Sequence, residues 1–96
     1  MALRDELHRR RDDILAIAAR HGVSNLRLFG SVARDQERAD SDIDLLVDLA
    51  DDRGFDDYLA LIEELERLFA RRVEVVIERG LSPHLRPYIE AEAQVL

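Results

Sequence analysis

Apolar residues recur along this chain with two different spacings, and each spacing predicts a type of element. From residue 3 to residue 21 they recur three and four positions apart, which predicts a helix that ends at Gly22. The same helical spacing returns between Tyr58 and Phe69. After Gly80, a serine and two prolines predict a short last helix that ends near residue 93, because proline favours the first helical turn.

Three shorter segments alternate between apolar and other residues, as strands do. They are residues 26–29, 43–49 and 73–77. Residues 32–34 predict one turn of helix between the first two strands, followed by a loop. The resulting order, helix, strand, short helix, strand, helix, strand, helix, predicts an α/β fold in which a small sheet is covered by helices. Strand directions stay open, because the segment between the first two strands suits either a crossover or an antiparallel return.

The composition predicts one soluble domain spanning residues 1–96 and restricts its chemistry. All 14 basic residues are arginine and cysteine is absent, which excludes lysine-dependent and thiolate mechanisms. The net charge is -7 and acids surround the arginines, so we expect no direct binding of nucleic acid. No apolar stretch approaches the roughly 20 residues of a membrane span, and a cytoplasmic protein is expected. His8, His21 and His84 show no ligand-like spacing and are predicted to be surface residues.

Two aspartates stand at the start of the second predicted strand. Asp42 and Asp44 are two positions apart, so on a strand they share a face with Cα atoms roughly 7 Å apart and can converge on one magnesium cluster. Glu74, on the third predicted strand, is a candidate third carboxylate. Divalent metals bound by carboxylates neutralise a triphosphate and align the attacking oxygen, which nucleotidyl transfer requires. Such acids repel one another without metal, so the site is expected to need its cation.

A glycine-serine pair lies ten residues before these acids. Gly30 and Ser31 stand between a strand and a helical turn, where backbone N–H groups and the serine hydroxyl can hold phosphates. Arg34 lies one helical turn past Ser31 and shares its face. It either faces the triphosphate or pairs with Asp35 or Asp40, and the sequence leaves both open.

The stretch from Gly30 to Arg34 and the stretch from Ser41 to Val47 together resemble the signature of the minimal nucleotidyltransferases, in the DNA polymerase beta superfamily. Residues 72–76 and 81–91 are also similar, so the resemblance covers nearly the whole chain. It implies a nucleotidyltransferase fold with a small mixed sheet. It implies that two catalytic magnesium ions are bound by Asp42, Asp44 and Glu74. It also implies that the triphosphate of ATP is held by Gly30 and Ser31.

The resemblance also implies a function. Similar minimal nucleotidyltransferases are antitoxins that transfer AMP from ATP to a tyrosine of a toxin with a HEPN domain, a helical RNase. This chain departs from the family at Glu74, where aspartate is frequent, and at Asp35, where glycine is common. These departures keep a second hypothesis open, a binding module of the same fold that neutralises the toxin by contact. Transfer to a small alcohol is disfavoured for want of a domain to bind it, and a homo-oligomer is possible.

Overall fold

The computed structural model describes residues 2–36, 38 and 41–96, which form a four-stranded sheet and five α-helices. The helices are α1 (Leu3–Arg9), α2 (Arg11–Arg20), α3 (Gly30–Ala33), α4 (Phe55–Phe69) and α5 (Arg86–Glu92). The strands are β1 (Val23–Phe29), β2 (Ile43–Leu49), β3 (Val73–Ile77) and β4 (Gln94–Val95), and a 3-10 turn covers Glu78–Gly80. None of the helices in this described part of the chain combines the length and the apolar character needed to cross a membrane.

The sheet is mixed, with the strand order β3-β2-β1-β4. β2 runs antiparallel to β1 and parallel to β3, and β4 pairs antiparallel with the other edge of β1. The connection from β1 to β2 is therefore an antiparallel return, one of the two connections that the sequence allows. The predicted α/β fold is confirmed, but β4 was not predicted, because two residues are too few to show a period. After β4, Leu96 is buried and its N–H donates to the carbonyl of Leu26 at 3.2 Å.

The predicted first helix is in fact two helices joined at Arg10. The backbone of Arg10 has φ -98° and ψ 17°, outside the helical range. Its guanidinium lies 5.3 Å from the ring centroid of Phe69 and donates to the carbonyl of Leu68 at 3.3 Å. The two segments bury Leu3, Leu7, Ile14 and Ala18. The break therefore coincides with a contact between Arg10 and the end of α4, and local spacing does not reveal either.

One face of the sheet forms the core with α2 and α4. Alternate strand residues point into this core: Leu26, Leu28, Ile43, Leu45, Val47, Val73 and Val75. Full burial of such a side chain contributes about 1.5–3 kcal/mol, so the alternation fixes which face of each strand is turned inward. The intervening positions, including Asp44 and Glu74, are thereby placed on the opposite face.

The prediction that all three histidines are surface residues is wrong for His21. The side chain of His21 is only 15% exposed. Its Nδ1 lies 3.3 Å from Asp57 Oδ1 and its Nε2 lies 3.3 Å from Glu64 Oε1. Because both carboxylates belong to α4, the ring links the end of α2 to that helix.

Candidate active site

The three acids that the sequence singles out lie together at one end of the sheet. Asp44 pairs in register with Glu74 of β3 and, on its other side, with Phe29 at the end of β1. Directly paired residues on neighbouring strands share a face, so the carboxylates of Asp44 and Glu74 point the same way. Asp42 lies two positions before Asp44 and acts electrostatically on it. Asp42 and Asp44 are half-buried, whereas Glu74 is exposed.

The carboxylates of Glu74 and Asp42 are close enough to Asp44 to change its ionisation. Burial is the largest cause that raises the pKa of Asp44, from 3.8 to about 6. A hydrogen bond with Glu74 and the negative charges of Glu74 and Asp42 contribute to this rise, the positive charge of Arg34 opposes it, and about 6 is the result of all these effects together. A bound divalent cation favours the ionised form of nearby carboxylates and would reverse this effect.

Gly30 brings the end of β1 directly against Asp44. Its φ is +73°, in the left-handed region that residues with a side chain rarely adopt. A Cβ atom built on Gly30 would overlap the carboxylate oxygen Oδ2 of Asp44. Glycine is therefore required here both for the backbone conformation and for the close approach. Ser31 follows as the second residue of α3 and is half-buried.

Arg34 pairs with a residue that the sequence did not suggest. Its Nη1 donates to Glu92 Oε2 at 2.8 Å, and its Nε donates to Gln36 Oε1 at 3.3 Å. The other carboxylate oxygen of Glu92 accepts the backbone N–H of Gly30 at 3.1 Å. Of the two alternative partners named above, Asp40 lies outside the described residues. Glu92 is 58 residues from Arg34 along the chain, so no local spacing could have revealed it.

The backbone conformation at position 35 is one that glycine adopts readily. Asp35 has φ +58°, in the left-handed region. Glycine adopts this region without cost, and aspartate is among the few other residues that enter it routinely. The departure from the family pattern is therefore compatible with the turn, while it adds a negative charge one residue after Arg34.

The donor set at the sheet edge suits magnesium. Magnesium prefers a few carboxylates and completes its coordination with water and substrate phosphates. Asp42, Asp44 and Glu74 provide such carboxylates from two neighbouring strands, and their mutual repulsion is what a cation relieves. Within residues 2–36, 38 and 41–96, no group of three histidine, cysteine, aspartate or glutamate side chains is placed so that the protein alone could hold a metal ion. A magnesium ion at these carboxylates would therefore need oxygens from water and substrate to complete its coordination.

Two clefts adjoin Glu74, and the smaller one also adjoins Asp42, whereas Asp44 lines neither of them. One has a volume of about 300 Å³ and is lined by Asp42, Tyr58, Ile62, Arg72, Val73, Glu74 and Val75. A larger one, of about 610 Å³, runs along β3 beside the first turn of α4 and also includes Tyr58 and Glu74. Glu74 borders both clefts and therefore faces open space. This space lies on the opposite side of β2 from Gly30, because β3 and β1 flank β2 on its two sides. A second reactant can approach there.

Comparison with known proteins identifies the class to which this site belongs. Residues 11–96 match the family model of the nucleotidyltransferase domain, and the chain belongs to that family. A solved structure of a "putative minimal nucleotidyltransferase" superposes with a TM-score of 0.86 at 45% identity, covering 97% of this chain and 95% of that chain. The prediction of a minimal nucleotidyltransferase is therefore confirmed.

The chain is also similar to a relative named for an enzymatic activity and to a solved structure of a protein complex. The Methanocaldococcus jannaschii protein named "Putative protein adenylyltransferase MJ0435" is 35% identical over 80 residues, 83% of this chain and 86% of the relative. A crystal structure of a "toxin-antitoxin with AMP-PNP" has a TM-score of 0.75 at 22% identity, covering 88% of this chain and 69% of that chain. At that identity the second similarity shows a shared fold.

Proposed function

We propose that this protein transfers AMP from ATP to a hydroxyl group of a partner protein. The observation that carries the proposal is the meeting of Asp42, Asp44 and Glu74 at one end of the sheet, with Asp44 directly against the Gly30 turn. Membership of the nucleotidyltransferase family supports the reaction type. The name of the M. jannaschii relative supports AMP as the transferred group and a protein as the acceptor.

Asp42 and Asp44, with Glu74 as the third carboxylate, would hold two magnesium ions. Bound magnesium neutralises the triphosphate and makes its α-phosphorus easier to attack. The chain itself would hold the nucleotide through the turn at Gly30, the hydroxyl of Ser31 and the guanidinium of Arg34. The N–H of Gly30 itself is donated to Glu92. Burial of Asp42 and Asp44 strengthens their interaction with cations, because charges interact more strongly away from bulk water.

Glu74 is placed to act on the acceptor, because it is the exposed member of the three and borders both clefts. In the proposed reaction the acceptor oxygen bonds to the α-phosphorus, and the bond from that phosphorus to the pyrophosphate oxygen breaks. Glu74 orients the acceptor hydroxyl or accepts its proton. The products are the AMP ester of the acceptor and pyrophosphate.

For the partner we propose a HEPN-domain toxin, with a tyrosine as the acceptor and this protein as its cytoplasmic antitoxin. The resemblance to antitoxins of that kind supports this, as does the likeness in fold to the toxin-antitoxin structure. The departures at Asp35 and Glu74 support the competing function, in which the same fold neutralises the toxin by contact alone.

One assay separates these two functions. The protein is incubated with magnesium, ATP labelled on the α-phosphate and the product of the neighbouring gene, and is compared with the Asp42→Asn/Asp44→Asn variant. We expect the label to move to the partner, and to stay on ATP with the variant. Neutralisation of the partner by the variant, without label, would instead establish the binding module. Mass spectrometry of the labelled partner then tests the tyrosine assignment.

A further inference from the structure

The last segment of the chain holds the phosphate-binding turn in place. Glu92, the final residue of α5, accepts the Gly30 N–H at 3.1 Å with Oε1 and the Arg34 Nη1 donor at 2.8 Å with Oε2. Two residues later, Gln94 Nε2 donates to the carbonyl of Ala33 at 2.9 Å. We infer that Glu92 is a positioning residue, which fixes Arg34 and the Gly30 turn in the arrangement that receives the triphosphate; this rests on the proposed function.

The geometry of Arg34 allows it to hold Glu92 and a phosphate at once. A guanidinium has five N–H donors. One donor of Nη1 is used by Glu92 and the Nε donor by Gln36, at 3.3 Å. The remaining donors lie on an Arg34 side chain that is 47% exposed, so solvent and ligand can reach it. A phosphate can therefore bind Arg34 without displacing Glu92.

Electrostatics supports the same assignment. Glu92 is the ion-pair partner of Arg34, so its charge is balanced by the guanidinium. Without Glu92, the long arginine side chain would sample many rotamers, and binding a phosphate would have to restrict them. Preorganisation of this kind improves ligand affinity rather than the chemical step.

The opposite role for Glu92 makes the opposite prediction. A carboxylate that occupied the place of the phosphate would have to leave before ATP could bind, and its removal would strengthen binding. The two roles therefore differ in the sign of the effect of Glu92→Gln on nucleotide affinity. Glutamine keeps the length of the side chain and one carbonyl oxygen, which can accept the Gly30 N–H, but the NH2 group that replaces the second oxygen is a donor and cannot accept from Arg34.

The test measures binding of a non-hydrolysable ATP analogue with magnesium to the purified protein, and the KM for ATP and kcat with the partner. We expect Glu92→Gln to weaken binding and raise KM about tenfold while kcat changes less than about threefold. In an Arg34→Ala background the same substitution should have almost no further effect, because the group it positions is gone. The matched control is Glu90→Gln, on the same helix, where Glu90 pairs with Arg86 at 3.2 Å, and it should bind ATP like the wild type.

Other outcomes overturn the assignment in distinguishable ways. Equal or tighter nucleotide binding by Glu92→Gln overturns the positioning role alone and leaves the proposed function in place. If Glu92→Gln weakens nucleotide binding equally with Arg34 present and in the Arg34→Ala background, the positioning role is likewise overturned and the proposed function stays in place. A wild-type protein that binds no magnesium nucleotide overturns the proposed function and the positioning role together. Amide hydrogen exchange at Gly30 reports on the contact itself, and we expect it to accelerate in Glu92→Ala but not in Glu90→Gln.

Discussion

The Asp44→Asn variant is expected to lose nucleotidyl transfer by about a thousandfold or more and, without metal, to be more stable than the wild type at pH 7. The loss of activity follows because a metal-binding carboxylate contributes several kcal/mol to the stabilisation of the transition state. The gain in stability follows because Asp44 ionises beside Glu74 and Asp42 in a half-buried position. Asparagine has a similar shape and no charge to desolvate or to repel.

The stability that Asp44→Asn gains over the wild type should increase as the pH rises. The pKa of Asp44 is about 6 in the folded protein, against an ordinary value of 3.8. The folded state therefore binds this proton more tightly than the unfolded state does, and the stabilising contribution is full below pH 3.8 and lost as the pH rises through about 6. Solvent screens this half-buried group, so we expect a difference of about 1 kcal/mol at pH 7, or about 4–8 °C in Tm.

Thermal unfolding at pH 5 and pH 7.5, with and without magnesium and an ATP analogue, measures this prediction. The Tm advantage of Asp44→Asn should shrink at pH 5, and added magnesium nucleotide should stabilise the wild type but not Asp44→Asn. Asp48→Asn is the matched control on the same strand, because Asp48 pairs with Arg27 at 3.4 Å and is not one of the three acids. An Asp44→Asn variant that transfers AMP normally, or that is less stable at pH 7.5, contradicts the account of the site.

The Gly30→Ala variant is expected to lose about 100-fold in activity and to be less stable. An alanine with φ near +73° costs about 1–2 kcal/mol, and its Cβ would displace the carboxylate of Asp44. A displacement of about 1 Å in a catalytic group can reduce the rate by about 100-fold. The measurements are the transfer rate per folded molecule and the Tm.

Gly22→Ala separates the loss of stability from the damage to the site. Gly22 has φ +71°, and a Cβ atom there would overlap the side chain of Arg53. This variant should lose stability to a similar degree and still transfer AMP at the normal rate, because Gly22 precedes β1 at the end opposite Gly30. Equal activity of the two variants would show that the contact between Gly30 and Asp44 does not matter for the reaction.

The periodicity of apolar residues was sufficient to predict which side chains of a strand face the core, because this depends on residues that are neighbours along the chain. The alternation in β2 placed Ile43 and Leu45 in the core and Asp44 on the opposite face, which the structure confirms. Alternation in β3 likewise put Glu74 on the face opposite Val73 and Val75. These predictions succeed because burial of one strand face fixes the direction of every side chain on that strand.

The features that were missed depend on contacts between distant parts of the chain. The break between α1 and α2 lies at Arg10, which contacts Phe69 far along the chain, and the contact of Glu92 with Gly30 joins residues 62 positions apart. β4 exists because its two residues pair with Arg27 and Leu28, not because of any pattern of its own. Such contacts follow from the packed arrangement of elements, which the spacing of residues along the chain does not determine.

Metal binding tests the central claim most directly, because it requires no partner protein. Manganese, as a spectroscopic substitute for magnesium, is titrated into the protein with a non-hydrolysable ATP analogue, and free manganese is followed by electron paramagnetic resonance. We expect the wild type and Asp48→Asn to bind manganese together with the nucleotide, and the Asp42→Asn/Asp44→Asn variant to bind it at least about tenfold more weakly. Equal manganese binding by the double variant would contradict the claim that these carboxylates form the metal site.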